Sequence, residues 1–243
     1  IMKNSLIKME DWILVKKLQP MNSNQKIVGI LSFESFSKEL CVIAESIRND
    51  LSFVPIFSKH KLQLLFKEKQ FELLVSFGSS IIVPKKILEI KGLKSVNIHA
   101  ASPDYPGRDP HHFAVYNNVK KYGATMHFMI NKVDEGGIID VEIFSVKSSI
   151  NPNELLMNAN DAGLKLFKKL LKNFDKKNYL KINKKYKWSN KKYTRKDFEK
   201  LCNLSLDIDK NEFMKRLNAC SFPGYNNLFL NIDGKKFQII TNE

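Results

Sequence analysis

Cysteine is scarce in this chain, with three residues, Cys41, Cys202 and Cys220, and no short spacing between them. That excludes a disulfide framework and a cysteine-based zinc site, and leaves buried free thiols in a reducing, cytoplasmic compartment as the expectation. Arginine is scarce too. Only Arg48, Arg108, Arg195 and Arg216 occur, so the net charge of +15 is carried almost wholly by lysine. With Asn and Ile also abundant, this reads as compositional bias rather than as an arginine-rich phosphate reader, and nucleic acid is not expected as a partner. No apolar run approaches the roughly 20 residues that span a bilayer, so no membrane partner is expected. No G-x-G-x-x-G follows the first strand-like run, where only Gly29 occurs, so a nicotinamide or flavin cofactor is not expected. No His/Cys cluster is spaced to hold a metal.

What is present is the composition of a globular protein, 43% hydrophobic and 27% charged over 243 residues. Residues 1–25 carry acidic groups and no continuous apolar core, which makes a poor signal peptide. Leu6, Met9, Ile13 and Leu18 fall near helical spacing, so this stretch reads as a short amphipathic arm or as an expression-vector extension. From residue 26, apolar strand-like runs alternate with short helical periods: strands near 26–33, 52–58, 72–78 and 95–100, helices near 37–50, 60–70 and 84–90. Strands that are apolar throughout imply parallel βαβ units covered on both faces. A short helix (110–118), two alternating strands (122–130 and 137–146) and a long amphipathic helix (151–176) follow, the last with Asn151 as N-cap and Glu154 three residues on. After about residue 180 the pattern changes to a basic aromatic loop, two helices and a hairpin turning at Asp233-Gly234. The expected division is an arm over 1–25, a main domain over 26–180 and a small unit over 181–243.

Ligands in doubly wound sheets sit beyond the carboxyl ends of the strands. There the sequence places Asn97 and His99, which share a side-chain parity, and Asp134 in a Gly-flanked loop within reach. A Pro- and Gly-rich stretch, "SPDYPG", stands beside them and keeps the chain from closing the cleft with a helix. Arg108 suits phosphate oxygens or plain solvent. His111 and His112 suit polar contacts at the cleft or an ordinary surface. Phe222, Tyr225 and Trp188 are aromatic faces open to stacking, with a core role open for Phe222. His127 reads as structural.

"NIHAASPDYPGRDPHHFAVYNN" followed by "YGATMHFMINKVDEGGII" resembles the signature of the 10-formyltetrahydrofolate-dependent formyltransferases: N-x-H, a Pro-rich loop ending in Gly, G-x-T-x-H, then D-x-G. The loop and the C-terminal "FPGY" stretch are most similar to the nucleotide-linked amino-sugar N-formyltransferases. Position 100 is Ala where the family usually has Pro, which leaves the loop less stiff. The resemblance implies an α/β, Rossmann-like doubly wound, mostly parallel sheet with a small C-terminal helix-hairpin unit. It implies transfer of a formyl group from 10-formyltetrahydrofolate, without a metal, to the amine of a nucleotide-linked amino sugar, for surface polysaccharide (O-antigen) synthesis, by a homodimer. The favoured acceptor is dTDP-4-amino-4,6-dideoxyglucose; methionyl-tRNA and glycinamide ribonucleotide formylation are the alternatives. Asn97 and a His99 imidazolium would stabilise the oxyanion, and Asp134 would orient His99 and take the amine proton, directly or through water. The folate pocket would be formed by Phe77, Gly78, Ser79, Ile81, Ile82, Val133 and Asp134. The acceptor would meet Tyr105, Gly107, Arg108, His111, Trp188, Phe222 and Tyr225.

Overall fold

We describe a computed structural model of the chain over residues 25–222 and 224–240. The expected N-terminal arm lies, but for residue 25, outside the described residues. Four parallel strands, β1 (Ile27–Leu31), β2 (Ser52–Ile56), β3 (Leu73–Phe77) and β4 (Lys94–His99), lie in the order β2-β1-β3-β4. The sheet is completed by β5 (Lys121–Phe128) and β6 (Ile138–Ser145), both antiparallel to their neighbours. Pro55 sits in β2, the edge strand, where a missing N–H costs no ladder bond.

Alternate residues of the strands face opposite layers, as the pleat requires. Val28, Ile30, Leu73, Val75, Phe77, Val96 and Ile98 meet α1 (Glu34–Ile47) and the long α5 (Pro152–Asn173). Leu31, Ile56 and Leu74 meet α2 (Lys59–Glu68) and α3 (Lys85–Leu88) on the other face. Helix α5 starts with the capping box read from the sequence: Asn151 Oδ1 accepts from the Glu154 N–H at 2.9 Å. Its Gly163 lets the helix backbone approach the sheet, since a Cβ there would stand 2.6 Å from Phe77 Cζ.

From β1 the chain runs to β2 on one side, then crosses back to β3 on the other. β1 thus marks the reversal point of the sheet, and in open α/β sheets the ligand crevice lies there, at the carboxyl edge. That edge also receives the end of β4 with Asn97 and His99.

The C-terminal residues form α6 (Arg195–Cys202), β7 (Asn203–Leu204), α7 (Lys210–Cys220), a small pair β8 (Ser221–Phe222) and β9 (Tyr225–Asn226), and the hairpin β10 (Phe229–Ile232) and β11 (Lys235–Gln238). The hairpin turns at Asp233-Gly234, both at positive φ. The small unit expected over 181–243 packs, in its described residues, against the main domain. Tyr193, Leu201, Leu204, Ala219, Cys220 and Leu228 share one cluster with Ala101, Tyr105, Phe113, Tyr122, Leu155 and Ala159. Apolar residues on α6 and α7 too few to bury each other use α5 and α4 (Pro110–Tyr116) as their floor. Among the described residues no helix is long and apolar enough to cross a membrane.

Candidate active site

Strand β4 delivers Asn97 and His99 to the carboxyl edge of the sheet, and β5 delivers His127 directly opposite Asn97. Asn97 Nδ2 lies 3.1 Å from His127 Nε2. The other ring nitrogen of His127, Nδ1, is 2.9 Å from the Phe128 carbonyl, which can only accept. His127 therefore holds its proton on Nδ1 and accepts the Asn97 amide N–H on Nε2. That uses one of the two amide hydrogens of Asn97 and leaves the other for a ligand.

Asp134 closes the cluster. It sits in the turn between β5 and β6, at φ 50, a left-handed conformation in which Asp and Asn are enriched. Its carboxylate is buried, accepts the Gly107 N–H at 3.0 Å, and lies 3.7 Å from His99 Nδ1 and 3.5 Å from His127 Nε2. Burial pushes the Asp134 carboxyl up, but the charge on His99, with the neighbouring His127 ring and the Gly107 N–H, outweighs it and holds the group at about 2. A carboxylate held that low stays ionised at neutral pH, an anion between two imidazoles. His99 Nε2 donates to the Tyr105 carbonyl at 3.0 Å, which turns Nδ1 towards Asp134. At 3.7 Å that pair is beyond hydrogen-bond range, and Nδ1 keeps capacity for an incoming substrate atom.

His127, read from the sequence as structural, bonds Asn97 and lies beside Asp134. The signal was present in the antiparallel register of β5 on β4, which cannot be read before the strands are paired. Gly107, at φ 101, is required where it stands, because a Cβ would run into the Tyr193 carbonyl. Gly136 is equally constrained, its Cβ position lying in contact with the Phe128 carbonyl. Thr125 Oγ1 donates to the Ala101 carbonyl at 2.7 Å and fixes the start of the "SPDYPG" loop.

The residues expected around a folate divide into two sorts. The Phe77 side chain is fully buried between Phe36 and α5, so only its backbone borders the crevice. Ile81 packs into the layer of α2 and α3, and Ser79 Oγ is engaged with the Ile81 N–H at 3.1 Å. Gly78 at φ 65 makes the turn away from β3. Ile82 and Val133 are exposed, as are Phe33 and Ile130. Phe33 is 60% and Ile82 65% exposed, on the two loops that flank the crevice, an apolar rim of the kind that marks a binding groove.

Those expected around an acceptor are similarly divided. The Tyr105 ring belongs to the core, stacked on Tyr193 with its hydroxyl accepting from Asn117; its carbonyl is what serves the site. Arg108 is exposed beside Asp109. His111 is half-buried with an unpartnered, buried Nδ1, and burial, then His112 and His99, push it down to about 3, so it stays neutral at physiological pH. His112 is buried against the Ala219 carbonyl at 2.6 Å. Phe222 and Tyr225 stack on each other with centroids 4.9 Å apart, and Tyr225 keeps its outer face in solvent. Trp188 is not beside them. It donates from Nε1 to the Gly136 carbonyl at 2.8 Å and meets His127 and His99 edge-on, with centroids 5.0 and 6.0 Å away. Among the described residues no group of three or more His, Cys, Asp or Glu side chains is arranged to hold a metal ion.

Residues 43–171 match the profile of a family described as Formyl transferase. A methionyl-tRNA formyltransferase of Hydrogenobaculum sp. (strain Y04AAS1) is 34% identical over 109 residues, 44% of this chain and 35% of that protein. A formyltetrahydrofolate deformylase of Synechocystis sp. (strain ATCC 27184 / PCC 6803 / Kazusa) is 28% identical over 130 residues, 51% of this chain and 45% of that protein. The matched stretch thus spans less than half the length of either curated relative. Among solved structures, a 4-N formyltransferase from Francisella tularensis superposes with TM-score 0.70 at 20% identity, over 89% of this chain and 97% of that one. An N-formyltransferase from Helicobacter canadensis, solved with folinic acid and dTDP-3-aminofucose, superposes with TM-score 0.61 at 22% identity, over 90% of this chain and 89% of that one. At such identities the likeness establishes the fold.

Proposed function

The chain belongs to the formyl transferase family, and on that footing we propose that it is an N-formyltransferase, moving the formyl group of 10-formyltetrahydrofolate to the amine of a nucleotide-linked amino sugar. The observation that carries the reading is the cluster at the carboxyl edge in which half-buried Asn97 and His99 meet buried His127 and Asp134, with exposed apolar residues on the neighbouring loops. The donor supplies a formyl carbon already activated on nitrogen. A new C–N bond forms to the sugar amine, the bond to N10 breaks, one proton leaves the amine and one is returned to N10. The free amide hydrogen of Asn97 is placed to meet the negative charge that grows on the formyl oxygen. His99 Nδ1 exchanges the proton, and Asp134 stabilises the imidazolium. Phe33, Ile82, Ile130 and Val133 suit the flat, weakly polar ring system of a folate.

The sugar reading is supported by the superposition on the Francisella protein, which extends over 97% of it and so includes the C-terminal elements. By the same resemblance we favour dTDP-4-amino-4,6-dideoxyglucose as acceptor, a cytoplasmic homodimer, and a product destined for a surface polysaccharide. Methionyl-tRNA formylation is the second reading, favoured by the 34% identical curated relative. The two separate in one assay. The chain is incubated with 10-formyltetrahydrofolate and, in turn, dTDP-amino sugars, charged initiator tRNA and glycinamide ribonucleotide, and loss of the formyl donor is followed. Donor consumption with tRNA alone, and tRNA binding that falls steeply with salt as displaced counterions require, overturns the sugar reading.

Within the sugar reading Tyr225 is the base platform. Its outer face is open, and its inner face is backed by Phe222. A stacked base contributes on the order of 1–3 kcal/mol. Tyr225→Ala is therefore expected to raise KM for the nucleotide sugar by roughly ten- to a hundred-fold, with kcat and folate affinity little changed. Equal weakening of both substrates would show a folding defect in place of a lost platform.

A further inference from the structure

We infer that Trp188 is a positioning residue for formyl transfer, one that holds the turn carrying Asp134 so that the carboxylate stays seated between His99 and His127. The inference rests on the proposed activity for its kinetic consequence only; the geometry stands apart from it.

Two loops supply the cluster beyond β4 and β5: residues 103–108, with the Gly107 N–H, and residues 129–137, with Asp134. They meet at the Gly107 N–H bond to Asp134 Oδ2. A third segment, residues 183–193, lies along both. Against the first loop it forms a short zipper: the Ser189 N–H donates to the Pro103 carbonyl, Tyr193 N–H to Pro106, and Arg108 N–H to Tyr193, at 2.9, 2.9 and 3.0 Å. Against the second it places Trp188 Nε1 on the Gly136 carbonyl, and Lys192 Nζ on the Val133 carbonyl and Glu135. At its start the Asn183 N–H donates to the Ile138 carbonyl at 2.7 Å. The segment lies wholly outside the 43–171 stretch that matches the family profile.

Asp134 needs such support. Its backbone is left-handed, and its carboxylate is buried between two rings, neither of which is within hydrogen-bond distance. On the sheet side the turn is held by the Phe128 N–H bond to the Gly137 carbonyl at 3.0 Å, and Gly136 leaves no room there for a side chain. Trp188 pins the same residue from the outside. Its indole also meets both imidazoles edge-on. A base-stacking role fits poorly, because the N–H is bonded to the turn and the ring packs against the two histidines.

The test is Trp188→Phe, which keeps an aromatic ring and removes the donor. In the ligand-free chain, hydrogen exchange of the Gly107 amide is expected to speed up by roughly ten-fold, since its acceptor is no longer held. In the assay, kcat is expected to fall about 10- to 100-fold, as for a displaced catalytic group, with both KM values within about two-fold. Lys192→Met, which releases the same turn from an exposed position, should move exchange and kcat in the same direction by less, and serves if the tryptophan variant does not fold. Unchanged Gly107 exchange, or unchanged kcat with a raised KM for the nucleotide sugar, overturns the inference; the second outcome makes Trp188 a ligand platform. If the wild-type chain formylates no acceptor, the fault lies with the proposed function, and the exchange measurement still decides whether Trp188 seats the turn.

Discussion

His99→Ala is expected to lower turnover by about 100-fold or more, the effect of removing a preorganised donor or proton-transfer group from a buried site. The ring stands where β4 ends, with Nε2 fixed on the Tyr105 carbonyl and Nδ1 turned towards Asp134. Alanine removes both the proton carrier and the cation that Asp134 is placed to stabilise. The fold should persist, because the ring gives up a single hydrogen bond, worth about 1 kcal/mol, and little apolar contact. Asn97→Ala should cost a similar factor, by loss of the amide N–H aimed at the formyl oxygen. It has a second consequence, since His127 Nε2 loses its donor. Turnover at saturating folate and acceptor, read beside the melting temperature, separates chemistry from stability. Near-wild-type turnover in His99→Ala with an intact fold would sink the mechanism.

Most of the scaffold was legible in the sequence because its signals are local. Continuous apolar runs marked β1 to β4 and alternating ones β5 and β6, helical spacing marked α1 and α5, and Asn151 with Glu154 marked the start of α5. Asp233-Gly234 marked the hairpin. Asn97, His99 and Asp134 were legible because polar groups at the ends of buried strands stand out from their surroundings. The rest depends on what pairs with what. His127 joins the cluster only through the register that sets it opposite Asn97. The resemblance put Tyr105 against the acceptor, and the ring turns inward because Tyr193, about ninety residues on, offers it a face. Trp188 looked free because its loop is basic and polar, while its two partners, the Gly136 carbonyl and the histidine pair, come from distant strands. The two-residue strand β7 could not be read at all, since its pairing with β10 involves only Asn203 and Leu204.

Asp134→Asn is the sharper test of the cluster, because it removes charge and almost nothing else. Asparagine fits the left-handed backbone at φ 50 as readily as aspartate, and its carbonyl can still accept the Gly107 N–H. What disappears is the anion facing His99 and His127. In the native chain that carboxyl is held at about 2, below its ordinary value of 3.8. A depressed carboxyl stabilises the folded state above its unfolded value and loses that contribution as pH falls through the folded one. The difference corresponds to about 2 kcal/mol, present at neutral pH and lost between roughly pH 4 and pH 2. The variant should thus be less stable by about that amount at pH 7, and its stability should fall less steeply than the wild type's across the acid window. Urea unfolding at several pH values reads both effects. Turnover should fall by about 100-fold or more in the same protein, because an imidazolium at His99 no longer faces a counter-ion. A variant that keeps its turnover while losing acid-dependent stability would show Asp134 to be structural, and would leave Asn97 and His99 to act without it.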